Sequence, residues 1–312
     1  MNPAPSIVVF TTASGAGYGL LAWLGVLRPL GLLPADAGFA LLALLLAAAL
    51  ITAGLLSSLR HLGRPERAWR ALSQWRSSWL SREGVAAVAT YIPLAVMGYA
   101  LLTEAPRLAH VAGLLAAVGA VVTIWCTGMI YGSLKTVRQW RHRAVPWGYL
   151  VFGGFCGAAI LAALAALWGE GRIPAMLTAL LGGGAIALKR AYWEAVDAPP
   201  PADAPTIESA TGLGRIGRTR PLDPPHTEQN WLLREMGFRV ARKHSAKLRR
   251  LTLAGFALAT ILALLAIPVS GALAALLLVL AALVASAAML VERWLMFAEA
   301  THTVMLYYSG EA

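Results

Sequence analysis

The chain has 312 residues, of which 58% are hydrophobic and 13% charged, with a formal net charge of +11 at pH 7 and a mean hydropathy of +0.66. A soluble domain of this length could not hide so much apolar surface, whereas a bilayer accepts it. Composition therefore excludes a soluble catalyst and predicts an all-α, polytopic membrane protein.

A spanning helix needs about 20 mostly apolar residues; seven stretches qualify clearly, at 7–27, 37–59, 84–103, 109–131, 147–168, 251–269 and 271–291, and a short one at 173–188 makes eight the best count and seven the fallback. They predict an eight-transmembrane-helix bundle in a single membrane domain, 1–312. The opening MNPAPSIVVFTT has no positive n-region and no small-residue cleavage site, and reads as the uncleaved start of the first span.

Between the second and third spans lies the stretch richest in polar residues. His61 falls in the last turn of one helix, Gly63 suits a left-handed helix end, and Pro65 suits the first turn of the next. Ala68, Trp69, Leu72 and Trp75 then share one apolar face, as in a short helix lying flat at the headgroups with its arginines toward lipid phosphate or a partner. Ser81 is the expected N-cap of the third span, and Glu83 begins it.

The sixth stretch is short and is weakened by Gly182, Gly183 and Gly184, with Lys189 and Arg190 expected to snorkel to the interface. A long polar loop, 191–250, follows. Its first part, 197–225, is rich in Pro, Gly, Thr and Asp and reads as irregular. Beyond Thr227, Trp231, Leu232, Met236, Val240 and Ala241 recur at helical spacing beside Arg239, Arg242, Lys243 and Lys247, which predicts an amphipathic surface helix. The eighth stretch continues through Glu292, Arg293 and Trp294 toward Tyr308. Glu292 and Arg293 would neutralise each other if buried, and Glu299 and His302, three apart, share a face.

Charge sets the expected orientation. The second loop carries Arg60, Arg64, Arg67, Arg70, Arg76 and Arg82, and the fourth carries Lys135, Arg138, Arg141 and Arg143. Only Arg28, Arg107 and Arg172 stand on the other face. Lys and Arg of short loops stay cytoplasmic, so both termini and the basic loops are expected in the cytoplasm of a bacterial inner membrane. The basic excess is a topology signal and not a nucleic-acid footprint.

Reduction of a quinone takes two electrons and two protons, so its oxygens need a partner that exchanges protons near pH 7. Histidine does so unperturbed, and a carboxylate near the water surface can pass the proton on. His61 and Glu83, with Arg67, Glu299 and His302 on the same face, are the candidate quinone or proton-transfer residues. The competing readings are plain ones: favourable helix-dipole placement for His61 and Glu83, lipid binding and topology for the arginines, and a helix emerging into water for Glu299 and His302. Cys126 and Cys156 form no CxxC, and no span holds two histidines. Neither a metal site nor a haem is therefore expected in this chain.

The sequence His61-Leu-Gly-Arg-Pro-Glu-Arg-Ala68, then Ser81-Arg-Glu83, then Glu292-Arg-Trp294 with Ala298-Glu-Ala300, resembles the membrane anchor subunit of dimethyl sulfoxide reductase-type molybdenum enzymes. The resemblance implies a ferredoxin-like [4Fe–4S] partner and a molybdopterin catalytic partner, with molybdopterin and clusters confined to them. It implies an anchor that exchanges electrons with ubiquinone or menaquinone, the family's quinol histidine mapping onto His61 and its acidic residue onto Glu83. Arg64, Arg70, Arg76 and Arg138 would face the partners. The long 197–225 loop looks more like the anchors of sulfite-oxidising relatives, and the cytoplasmic placement of the basic face favours sulfite oxidation coupled to quinone reduction over a reductase consuming menaquinol. Two alternatives remain open. One is a small-solute transporter, although the first half has no counterpart of the Gly182–Gly184 break; the other is a structural anchor with a degenerate quinone site.

Overall fold

A computed structural model describes residues 1–60, 62–200, 204–223, 225–226, 228 and 240–308. Eight long helices account for most of the described residues: α1 (Pro5–Leu27), α2 (Ala37–Leu59), α3 (Trp79–Leu102), α4 (Pro106–Gly132), α5 (Ala144–Leu167), α6 (Arg172–Asp197), α7 (Val240–Ala266) and α8 (Gly271–Ala298). Among them no strand forms beyond an isolated bridge between Val137 and His302. Seven of the helices are long and apolar enough to cross a membrane, which makes this a multi-pass membrane protein. The exception is α6, whose apolar run is diluted by Arg172, Lys189, Arg190, Glu194 and Asp197.

Local chemistry explains the helix limits. Pro5 and Pro106 occupy first turns, where no backbone N–H is needed. The Asp36 carboxylate caps α2 by accepting from the Phe39 N–H at 2.8 Å. Small residues then set how closely the helices approach. At Gly19 of α1 a Cβ would collide with the Gly153 carbonyl of α5, and at Gly182 of α6 with the Thr260 hydroxyl of α7. Close approach through small residues is how helices associate where lipid removes the hydrophobic drive between them. Thus α6 runs unbroken through the glycines expected to weaken it, because Gly182 is a packing contact.

Long-range hydrogen bonds assign several of the helix ends. The Ser57 hydroxyl at the end of α2 donates to Ser6 O at the start of α1 (3.0 Å), and the Met1 amine donates to Ala300 O beyond α8 (2.8 Å). Trp140, between α4 and α5, donates to Met296 O of α8 (2.8 Å), and Arg138 donates to Ala198 O beyond α6 (2.7 Å). The opposite end holds the α1–α2 turn, where Asp36 accepts from Trp168 at the end of α5 (3.1 Å). There too the α5–α6 and α7–α8 turns line one cleft. Consecutive long helices therefore run in alternating directions, and the start of α1 and the end of α8 lie at the same end of the bundle.

Several local expectations need correction. Ser78, not Ser81, caps α3, which begins five residues before the predicted span, while the Ser81 hydroxyl donates to Ala71 O. Glu83 consequently sits in the second turn of α3. Gly63 does not take a left-handed conformation, because α2 closes at Arg60 with ordinary helical angles. The flat helix of the second loop is a 3-10 helix, Pro65–Gln74, tied to α3 by Arg82, which donates to Trp75 O and Arg76 O. Residues 229–239, which carry most of the predicted amphipathic helix, lie outside the described residues; its last residues open α7 without a break.

Candidate functional site

Glu83 faces inward from α3 and is 5% exposed. Its carboxylate accepts a hydrogen bond from the Thr127 hydroxyl of α4 at 2.5 Å. Tyr131 stands one turn beyond Thr127 on α4, and Tyr18 of α1 and Tyr149 of α5 are buried in the same core. Tyr131 and Tyr149 stack, with ring centroids 5.7 Å apart and planes 14° from parallel. Among the described residues this carboxylate is held by one hydroxyl, which suits exchange of a proton better than a fixed ion pair would.

A second buried cluster adjoins the tyrosines. Glu292 of α8 is fully enclosed and bridges Lys189 Nζ of α6 and Arg293 Nε, each at 2.5 Å. The Arg293 guanidinium lies 4.2 Å from the Tyr149 ring centroid, and Lys189 Nζ lies 4.4 Å from that of Tyr192. Lys189 was expected at the interface; it is 3% exposed because Glu292 and the faces of Tyr192 and Trp193 receive its ammonium. The expected Glu292–Arg293 pairing is present, with Lys189 as a third member. Two cations and one anion leave this cluster one positive charge in excess, a costly arrangement away from water.

The remaining predicted residues that the structure describes make contacts of their own. Glu299 pairs with Arg249 at 2.7 Å, and Arg249 also grips Asp197 at 2.6 Å. His302 is half-buried, bridged to Val137, and its Nδ1 accepts from the Val304 N–H at 3.1 Å. Arg67 is exposed with Glu66 3.9 Å away. Arg70 and Arg76 lie over the rings of Trp69 and Trp75, and Arg64 is exposed beside them. His61 lies outside the described residues. In the α4–α5 loop, burial and the adjacent Arg143 hold the His142 imidazole below the ordinary histidine range, and its Nδ1 accepts from the Ala144 N–H. Among the described residues, no three His, Cys, Asp or Glu side chains gather as a metal site would require.

Lys189, Thr127 and the tyrosines escaped the sequence reading. A signal existed for Tyr131 and Tyr149, since hydroxyl-bearing rings inside apolar spans need partners when buried. For Lys189 there was none, its partner being remote in sequence.

Long apolar helices around a polar, titratable core at one end define a multi-pass helical membrane protein. The chain belongs to the family "DMSO reductase anchor subunit (DmsC)", whose sequence model matches residues 1–189. It is also 38% identical over 189 residues to a sulfite dehydrogenase subunit of Allochromatium vinosum, covering 54% of this chain and 57% of the relative. The chain thus spans little more than half the length of that curated relative. The matched family region contains Glu83, Thr127, Tyr131 and Tyr149 and ends at Lys189, so Glu292, Arg293 and Glu299 fall beyond it.

Proposed function

We propose that this chain is the quinone-reactive anchor of a three-subunit molybdenum oxidoreductase, passing electrons between an iron–sulfur partner and membrane quinone. The observation that carries this reading is the buried Glu83 carboxylate, held by Thr127 near one end of a bundle that belongs to the anchor family. His61 is proposed as the proton donor and acceptor at a quinone oxygen, and Glu83 as the group that exchanges that proton with the protein. Quinone supplies the two-electron chemistry when bound. Arg67, Glu299 and His302 are proposed to keep this end of the bundle polar, and Arg64, Arg70, Arg76 and Arg138 to meet the partner subunits.

Sulfite oxidation coupled to quinone reduction is the preferred direction, supported by the name of the similar Allochromatium protein and by the basic loops. Oxidation of menaquinol for a dimethyl sulfoxide reductase is the second reading, supported by the family description. Eight crossings are proposed, since the start of α1 and the end of α8 lie at one end of the bundle and an odd number would separate them.

Glu83→Gln and His61→Ala in the assembled complex test the site. Each should lower quinone-coupled turnover by about 100-fold, as expected for loss of a general acid–base group, with complex assembly intact. Unchanged turnover in both variants would refute the assignment. Sulfite as electron donor to quinone, against dimethyl sulfoxide as acceptor from menaquinol, separates the two directions.

A further inference from the structure

Glu83 is enclosed, so a proton it exchanges with a quinone must reach water through other groups. On its inner side a file of polar side chains leads across the bundle. Glu83 accepts from Thr127, Tyr131 stands one turn further along α4 and stacks on Tyr149, and Arg293 covers the Tyr149 ring, whose hydroxyl donates to Met296 Sδ at 3.6 Å. Arg293 and Lys189 bracket Glu292. Lys189 lies 4.8 Å from the Trp193 ring centroid, and Arg249 lies 5.1 Å from the same centroid. Arg249 holds Glu299 and Asp197, whose side chain is 57% exposed, so the file ends at the surface.

Two small cavities open onto this file. One of about 20 Å³ is lined by Tyr149, Tyr192, Lys189, Glu292 and Arg293. The other, about 10 Å³, lies beside Thr11, Thr12, Tyr149 and Arg293. A water needs about 10–15 Å³, so each has room for roughly one. The Thr12 hydroxyl is buried, has no protein hydrogen-bond partner among the described residues, and lines the smaller cavity. Buried hydroxyls are satisfied by protein or by ordered water, and this one points to water beside Tyr149.

We propose that Tyr131, Tyr149, the Lys189–Glu292–Arg293 cluster and water beside Tyr149 form a proton line joining Glu83 to the surface at Asp197, Arg249 and Glu299. This deepens the quinone reading of Glu83 and rests on it. In the reducing direction, two electrons come from the iron–sulfur partner, and each proton given up by the Glu83 carboxyl is replaced along the file. A tyrosine hydroxyl accepts a proton from water on the Arg293 side and releases its own toward Glu83, leaving it unchanged. Glu292 and Lys189 exchange the next proton, which water in the larger cavity and the Glu299 carboxylate carry past Trp193 from the surface, while the Arg293 and Arg249 guanidiniums keep their charge throughout. In the oxidising direction every hop reverses.

Tyr149→Phe tests the line, because it keeps the ring over Arg293 and against Tyr131 and removes only the hydroxyl. Turnover with decylubiquinone is measured in the assembled complex, normalised to complex content. The expected result is a kcat lowered about 10-fold or more, an unchanged KM for the quinone, a larger solvent deuterium isotope effect, and partial recovery on adding a small weak acid such as azide. An unchanged kcat in Tyr149→Phe while Glu83→Gln is inactive overturns the line and leaves the quinone site standing. Full activity in Glu83→Gln overturns the quinone reading itself. A loss that follows complex content alone, with no recovery by azide, marks Tyr149 as structural and overturns the line. If Tyr149→Phe fails to assemble, Thr12→Val decides: a kcat lowered several-fold supports the line, and unchanged turnover overturns it.

Discussion

Lys189 and Glu83 are both charged residues within largely apolar stretches, and only one of them was legible in the sequence. Glu83 was, because a carboxylate close to a helix start in a membrane chain has few neutral explanations. Its enclosure by Thr127 and the tyrosines was not, since those come from three other helices. Lys189 closes an apolar run, where a lysine ordinarily extends to the interface. Its partner Glu292 lies 103 residues away and nothing local announces it. The three-membered cluster predicts an asymmetry between substitutions. Glu292→Gln strands two buried cations and should destabilise the protein by about 3–5 kcal/mol. Lys189→Met leaves Glu292 paired with Arg293 and should leave stability close to the parent's or raise it. Thermal unfolding in detergent compares them, and equal losses would contradict the charge count.

At the scale of elements, most helices were readable because a bilayer demands long apolar runs, and α2 begins and ends where its run does. Helix ends were harder. Two serines three residues apart, Ser78 and Ser81, both suit an N-cap, and the choice depends on where Ala71 O offers a competing acceptor. The glycines of α6 show the same dependence on neighbours. Gly weakens an isolated helix, but backbone hydrogen bonds in a bilayer face little competition from water. Gly182 alone meets α7, whereas Gly183 and Gly184 face open space. Gly182→Leu should therefore push α6 from α7 and lower the unfolding temperature. Gly183→Ala and Gly184→Ala should be neutral or stabilising by about 0.5–1 kcal/mol each. Uniform behaviour of the three would mean that close α6–α7 packing is not what Gly182 provides.

For the whole molecule, the multi-pass helical class follows from composition alone, while the polar file across one end depends on which helices neighbour one another. Orientation rests on the arginine and lysine bias, and it predicts that protease added outside sealed right-side-out vesicles leaves the 198–228 segment intact. Cleavage there from the outside would place the basic end on the other side and reverse the proposed topology. The Lys189–Glu292 pair also imposes an order on the making of the protein. When α6 leaves the ribosome its counter-ion has not been translated, and roughly 5–20 s pass before residue 292 follows, at about 5–20 residues per second. Through that interval the ammonium favours water and headgroups over lipid tails, so a helix synthesised later is the one that seats an earlier one. A nascent chain halted before α8 should hold α6 only partly drawn into the bilayer.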